Sequence, residues 1–217
     1  MVGLLKSTPQ SLYSLLRNGW LMVMSSEKLK QRKEREFYES IKTVLEFEFR
    51  SYVEESRYQN APFPNEENLY LKITAFGHSE TLTREFSDRA LRFLSVEKNL
   101  PDIMGFVQKK SSKKKEFITV EVKRSPVRFL HILQAKLYQD IFDAKFGLLI
   151  STKGIRDDKV RFVLKTPLGR SIRGKVIIAK FKELPYGYGD RMLIARTLEI
   201  NPKFKDSVPE PFKRLCK

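Results

Sequence analysis

Two apolar stretches joined by a lysine-rich segment constrain the fold of this chain more than any other feature of its sequence. Residues 100–107 and 117–123 each have the length and composition of a strand, and the polar residues 108–115 between them indicate a turn. The sequence therefore predicts a β-hairpin. Asp102 lies in the first strand, and Glu121 and Lys123 end the second.

The three charged residues are predicted to converge. Side chains two positions apart in a strand point to the same face, so Glu121 and Lys123 share a face, and Asp102 on the paired strand can face them. Two carboxylates and one ammonium group are costly to assemble at a strand end. Their common use is to hold a hard divalent cation through oxygen ligands and to keep an amine beside the reacting group.

The order Pro101-Asp102, hairpin, Glu121-Val122-Lys123 resembles the PD-(D/E)XK nuclease superfamily. A helix predicted over residues 128–143 follows, and its Gln134 and Tyr138 resemble the Q-x-x-x-Y element of the RecB-like branch. A spacing of four residues places both on one helix face. The resemblance implies an α/β fold with a restriction-endonuclease-like core, in which a central mixed sheet is flanked by helices.

The same resemblance implies metal-dependent hydrolysis of a phosphodiester. Asp102, Glu121 and the backbone carbonyl of Val122 would coordinate one or two Mg²⁺ or Mn²⁺ ions. Lys123 would lie beside the attacking water and the scissile phosphate. Gln134 and Tyr138 would orient the lysine, the metal-bound waters or the DNA backbone.

One more acidic residue joins this set by resemblance. A long helix is predicted from about residue 27 to residue 56, and Glu34 lies on its apolar stripe. Glu34-Arg35 resembles the Glu-Arg pair with which archaeal Holliday-junction resolvases supply an additional metal-site carboxylate. Glu34 is therefore a candidate catalytic residue and metal ligand. The alternative is a solvated charge run at the start of a helix.

The charge balance favours a polyanionic partner. Lys and Arg number 42 and Asp and Glu number 26, which gives a formal charge of +16, and the sequence pI is about 9.9. A chain this basic attracts nucleic acids. The lysines of the hairpin turn are expected to contact DNA phosphates, or else to form a solvated loop far from the acids: Lys109, Lys110, Lys113, Lys114 and Lys115.

The remaining sequence suggests one main domain. We expect an apolar N-terminal segment at 1–26, a nuclease domain at 27–200 with an insertion at about 58–98, and a C-terminal tail at 201–217. A helix is predicted over residues 83–97 and a turn over 185–189. Further strands are predicted at 69–76, 146–151, 160–164, 175–181 and 192–200. Of the two histidines, His78 is expected to be a loop residue without a catalytic role, and His131 to be structural or to face DNA.

Three functions remain open at this level. The first is a structure-selective endonuclease similar to the Holliday-junction resolvases, which are symmetric dimers; the second is a RecB-like single-strand nuclease; the third is a non-catalytic DNA-binding protein with a nuclease fold. A homodimer is expected, paired through residues 20–22 or a late exposed strand. The chain also resembles small nucleases of spindle-shaped viruses of thermophilic archaea. It has no apolar run long enough to span a membrane, so no membrane span is expected. An intracellular location, or a host cytoplasm, is also expected.

Overall fold

The computed structural model describes residues 35–54, 65–96, 100–166, 169, 172, 175–188 and 191–216. The chain divides into two compact units, Met1–Phe37 and Tyr38–Lys217. Only residues 35–37 of the first unit are described, and they are helical. Glu34 and the apolar segment at 1–26, including residues 20–22, lie outside the described residues.

The second unit is built on one six-stranded mixed sheet, which confirms the predicted α/β class. Its strands lie side by side in the order of the sequence. They are β1 Leu69–Ile73, β2 Ile103–Val107, β3 Glu116–Lys123, β4 Phe146–Ser151, β5 Val176–Tyr188 and β6 Arg191–Ile200. Strands β1, β2 and β3 form an antiparallel meander, β3, β4 and β5 run parallel, and β6 returns antiparallel to β5.

Helices lie on both faces of the sheet. They are α1 over residues 35–53, α2 Glu80–Thr83, α3 Asp88–Val96, α4 Phe129–Ile141 and α5 Asp157–Lys165. On one face, the ring of Phe49 in α1 packs against the rings of Phe146 and Phe212, with a distance of 5.1 Å between ring centroids in each pair. On the other, Tyr138 in α4 packs in a cluster with Met104 and Phe106 of β2. No helix in the described part of the chain is long and apolar enough to cross a membrane.

Two predicted elements near the end of the sheet are wrong. The strand predicted over residues 160–164 is part of α5, in which Val160 and Val163 are buried and Arg161 is exposed. That spacing is helical, and a short apolar run does not distinguish the two structures by itself. The turn predicted over residues 185–189 is largely strand, because Pro185 pairs with Ile194. Proline is tolerated there because, among the described residues, β5 has no strand neighbour on its β4 side beyond Lys180.

The segment after residue 200 is not the tail that its prolines and charges predicted. It forms two 3-10 helices, Pro202–Ser207 and Phe212–Leu215. Phe204, Val208, Phe212 and Leu215 are buried. Arg214 also donates to Oε2 of the buried Glu48, with Nε at 3.0 Å and Nη2 at 2.8 Å. These buried apolar side chains fix a segment that its composition alone suggested was a tail.

Strand β5 extends beyond its neighbour. In the described part of the chain, it pairs with β4 only as far as Lys180, and from Phe181 to Tyr188 it pairs with β6 alone. Eight further residues at about 3.3 Å each correspond to roughly 26 Å of strand. We call residues 181–188 and 191–198 the β-arm. Because β3, β4 and β5 are parallel, the β-arm continues past the carboxyl ends of β3 and β4, where Lys123 and Ser151 lie.

Candidate active site

The hairpin brings the predicted acidic residues together. Ile103 pairs with Val120, so Asp102, one residue before β2, lies opposite Glu121. Oδ2 of Asp102 accepts a hydrogen bond from the backbone N–H of Val122 at 2.6 Å. Nζ of Lys123 donates to Oε1 of Glu121. Asp102, Glu121, Val122 and Lys123 therefore form one cluster at the carboxyl end of β3.

The end of β1 fixes the backbone of Asp102. The carbonyl of Asp102 accepts N–H groups from Thr74 at 2.9 Å and from Ala75 at 3.1 Å. The hydroxyl of Thr74 donates to the carbonyl of Pro101 at 2.5 Å. The antiparallel neighbour thus holds the residue that carries the carboxylate, and Asp102 does not depend on a flexible loop for its position.

Tyr38 belongs to this site, although no sequence motif pointed to it. Its hydroxyl donates to Oδ1 of Asp102 at 3.3 Å, and its ring packs edge-on against Phe76 at 5.7 Å. Tyr38 and Asp102 are 64 positions apart in the chain. Helical spacing shows only that Tyr38 borders the apolar stripe of α1, so no local signal could have identified its partner.

The ionised form of Glu121 is disfavoured in this cluster. Its side chain is 3% exposed, and no described residue donates a hydrogen bond to its Oε2. Burial, and then the neighbouring Asp102 carboxylate, raise the pKa of Glu121 to about 7, although Lys123 opposes the shift. A cation between the two carboxylates would relieve both the repulsion and the unsatisfied oxygen.

The donors present fit a hard divalent cation. The described residues contain no group of three or more His, Cys, Asp or Glu side chains arranged to hold a metal. Mg²⁺, however, is usually bound through one or two carboxylates, with waters and substrate phosphates completing its shell. Asp102 and Glu121 supply two such carboxylates, and the orphaned Oε2 of Glu121 is an available oxygen ligand.

Helix α4 brings Gln134 and Tyr138 to the same cluster. Nε2 of Gln134 donates to the hydroxyl of the buried Tyr138 at 3.3 Å. Burial raises the pKa of Tyr138, and the carboxylates of Glu121 and Asp102 raise it further, against a lowering by the Gln134 hydrogen bond. The phenol therefore stays neutral close to the two acids.

A glycine allows α4 to approach the sheet this closely. A Cβ placed on Gly147 of β4 would lie 2.8 Å from Cγ and 2.9 Å from Cβ of Gln139. Any larger residue at this position would push α4 outward. Gly147 therefore sets the distance between Gln134 or Tyr138 and the acidic cluster.

His131 is a second residue that the motifs did not assign to the site. It precedes Gln134 by three positions and Tyr138 by seven, so the three share one helix face. Its Nδ1 accepts the backbone N–H of Arg128 at 3.2 Å, which leaves the proton of the neutral ring on Nε2. Burial, and then the charges of Lys123 and Arg128, lower the pKa of His131. His78 is an exposed loop residue.

The turn lysines lie away from the acids. The turn joins the ends of β2 and β3 opposite to Asp102, and the five residues of β2 span about 16 Å. Lys110 pairs with Glu54 at 2.5 Å, and Lys115 with Glu85 at 2.6 Å. Lys113 and Lys114 are exposed. These lysines therefore form a separate basic surface at the far end of the hairpin.

Polar contacts at the carboxyl edge tie the strand ends together around Lys123. The carbonyl of Lys123 accepts the N–H of Thr152 at 3.0 Å. The buried hydroxyl of Ser151 donates to the carbonyl of Ser125 at 2.7 Å and accepts the N–H of Gly154 at 3.1 Å. Gly154 has a φ of +71°, and its carbonyl accepts the N–H of Val127 at 2.9 Å. The left-handed conformation explains why glycine occupies this turn.

Comparisons of the chain with protein-family models, with curated proteins and with solved structures found no match.

Proposed function

We propose that this protein is a metal-dependent nuclease that hydrolyses phosphodiester bonds of DNA at the Asp102–Glu121–Lys123 cluster. The observation that carries the proposal is the buried carboxylate of Glu121, whose Oε2 accepts no hydrogen bond from a described residue, beside Asp102 and Lys123. A structural ion pair would not require a second carboxylate at this position. The formal charge of +16 gives the chain the polyanion affinity that such a substrate needs.

Asp102 and Glu121 would hold Mg²⁺ or Mn²⁺, with the backbone carbonyl of Val122 as a third ligand. When bound, the metal would supply a water of lowered pKa and would offset negative charge on the phosphate oxygens. The N–H of Val122 and the hydroxyl of Tyr38 orient the carboxylate of Asp102. The ammonium group of Lys123 positions the attacking water and neutralises charge on the scissile phosphate.

Gln134 and Tyr138 complete the proposed site from the side of α4. The amide of Gln134 is already bound to the phenol, so the two side chains act as one fixed hydrogen-bonding unit. This unit orients Lys123 or a backbone oxygen of the DNA.

Two kinds of nuclease fit this proposal. The paired Gln134 and Tyr138 favour a RecB-like enzyme that acts on single strands. The high positive charge and the Glu34-Arg35 pair favour a structure-selective endonuclease of the Holliday-junction type, for which Glu34 would be a further ligand. A non-catalytic DNA-binding protein is the third candidate, and it gives no role to the unsatisfied Oε2 of Glu121.

One experiment separates these candidates. The protein is incubated with Mg²⁺ or Mn²⁺ and with end-labelled linear duplex, single-stranded, flap and four-way-junction DNA. Symmetric cuts in the junction indicate a resolvase, and cleavage of single strands alone indicates the RecB-like enzyme. Binding without cleavage in either metal indicates a DNA-binding protein. If the protein neither binds nor cleaves any of these DNAs, the proposal is overturned.

A further inference from the structure

A polar cavity of about 180 Å³ is lined by residues other than those of the candidate active site. It lies between the loop that follows β4 and the base of the β-arm, and Lys153, Gly154, Lys180, Glu199 and Asn201 contribute to its lining. A single water needs only about 10–15 Å³, so the cavity has room for a group much larger than one water.

The cavity carries excess positive charge. Within the described residues, neither Lys153 nor Lys180 forms an ion pair, whereas the carboxylate of Glu199 is bound by Lys182. Oδ1 of Asn201 accepts the N–H of Lys203 at 3.0 Å, so the group of Asn201 that remains for a ligand is its amide donor. Two ammonium groups and an amide donor are suited to an anion.

The register of the sheet relates this cavity to the proposed reaction site. Lys123 pairs with Ser151 and Ser151 with Lys180 on successive parallel strands, so the three side chains point to the same face. Two strand spacings place the Cα atoms of Lys123 and Lys180 about 10 Å apart. The cavity therefore lies at the same edge of the sheet as the two carboxylates.

Gly154 shapes one wall of the cavity. A Cβ added at this residue would lie 3.3 Å from Cδ and 3.5 Å from Cβ of Lys180, so the backbone of the β4 loop lies directly against the lysine stem. That contact restricts the stem of Lys180, and the Ser151 hydroxyl anchors the same loop through Gly154. The cavity thus has a fixed wall beside its half-buried lysine.

We propose that this cavity is a second phosphate subsite, which binds a backbone phosphate of the nucleic-acid strand next to the phosphate held at Lys123. This inference rests on the proposed nuclease function and names where the strand continues beyond the reacting phosphate. Contacts of this kind fix the register of the strand and read no base sequence. The strand therefore passes from β3 across β4 towards the base of the β-arm.

The first test measures affinity without chemistry. Binding of a labelled single-stranded and a duplex oligonucleotide is measured in EDTA over a range of salt concentrations, for the protein and for Lys153→Gln/Lys180→Gln. Each phosphate that the variant no longer neutralises is expected to lower the slope of log K against log[salt] by about 0.9 for duplex and about 0.7 for single strands. The charge-matched control, Lys72→Gln/Lys165→Gln, changes two exposed lysines outside the cavity lining.

The second test locates the subsite on the strand. Each backbone phosphate of the oligonucleotide is replaced in turn by an uncharged methylphosphonate. One replacement is expected to weaken binding to the unaltered protein and to have no effect on Lys153→Gln/Lys180→Gln. If no replacement loses its effect in the double variant, or if the control variant shows an equal fall in affinity and slope, the subsite does not exist.

The outcome also distinguishes this inference from the proposed function. If Lys153→Gln/Lys180→Gln cleaves DNA and its slope of log K against log[salt] is unaltered, the subsite is refuted and the nuclease function stands. If DNA binding depends on the two lysines but the protein does not cleave DNA in Mg²⁺ or Mn²⁺, the subsite is supported and the nuclease function is refuted. A protein that binds neither oligonucleotide refutes both.

Discussion

Single residues account for most of what is chemically unusual here, and Glu121 is the clearest case. Its carboxylate is buried, faces the carboxylate of Asp102 and has an oxygen that no described residue satisfies. Burying an ionised group in this way opposes folding unless something compensates. Such a cost is expected where a protein sacrifices stability for a reactive site.

The raised pKa of Glu121 predicts how stability depends on pH. Its folded-state pKa of about 7 exceeds the ordinary value of 4.5, so the protonated form is favoured by folding. The contribution of protonated Glu121 to the free energy of unfolding is fully present below pH 4.5 and is lost as the pH rises through 7. This loss amounts to about 3 kcal/mol. Glu121→Gln cannot ionise, and without metal it should melt higher than the unaltered protein at pH 8 but not at pH 4.

Thermal unfolding in EDTA at the two pH values measures this effect, and Mg²⁺ should raise the melting temperature of the unaltered protein at pH 8. An equal difference between Glu121→Gln and the unaltered protein at both pH values would show that the Glu121 carboxylate is not destabilised.

Asp102 gives a prediction about catalysis. Asp102→Asn retains an oxygen for the N–H of Val122 but loses the charge that would hold a metal. Cleavage should fall by roughly 100-fold or more, as when one charge-stabilising group is removed from an active site, while DNA binding in EDTA persists. Tyr38→Phe removes only the hydroxyl that orients Asp102, and it should reduce cleavage less. Cleavage by Asp102→Asn at the unaltered rate would exclude this site.

At the scale of secondary-structure elements, the close approach of α4 to β4 links packing to the site. Gly147→Ala would place a methyl group within 2.8 Å of the Gln139 side chain, so α4 must shift. Overpacking of this kind costs about 1–3 kcal/mol, and the shift would also move Gln134 and Tyr138. We therefore expect a lower melting temperature together with slower cleavage.

Leu137→Ala is the matched control for Gly147→Ala, because Leu137 lies on the same helix and is 51% exposed. Leu137→Ala should change neither the melting temperature nor the rate of cleavage appreciably. If Gly147→Ala lowers stability but leaves cleavage intact, the position of α4 does not influence the site.

The hairpin turn allows a prediction at the same scale. Lys113 and Lys114 are exposed, whereas Lys110 and Lys115 are paired with glutamates. Lys113→Gln/Lys114→Gln should lower the salt slope of duplex binding by about 0.9 for each phosphate that the turn no longer binds. Thermal stability should not change. A slope identical to that of the unaltered protein would show that the turn does not touch DNA.

At the scale of the whole molecule, the exposed strand that could support a dimer is β6, the last strand of the sheet. Its only further pairing among described residues is an isolated bridge between Ile200 and Cys216. A two-fold dimer is the simplest assembly for an enzyme that makes two symmetric cuts. Light scattering should therefore give twice 25.5 kDa. A monomer at micromolar concentration with and without DNA would favour the RecB-like alternative.

The sequence alone identified the hairpin, the α4 helix and the buried strand β4, because their signals are local: two apolar runs around a polar turn, helical spacing and a short unbroken apolar run. It also identified Asp102, Glu121 and Lys123 as neighbours, since a hairpin relates its two strands by a fixed register. What it could not identify depends on contacts between distant residues. Tyr38 reaches Asp102, Phe212 packs on Phe49, and Lys180 lines up with Lys123 only after three parallel strands have assembled. Those relations follow from how elements pack, and packing is a property of the tertiary structure.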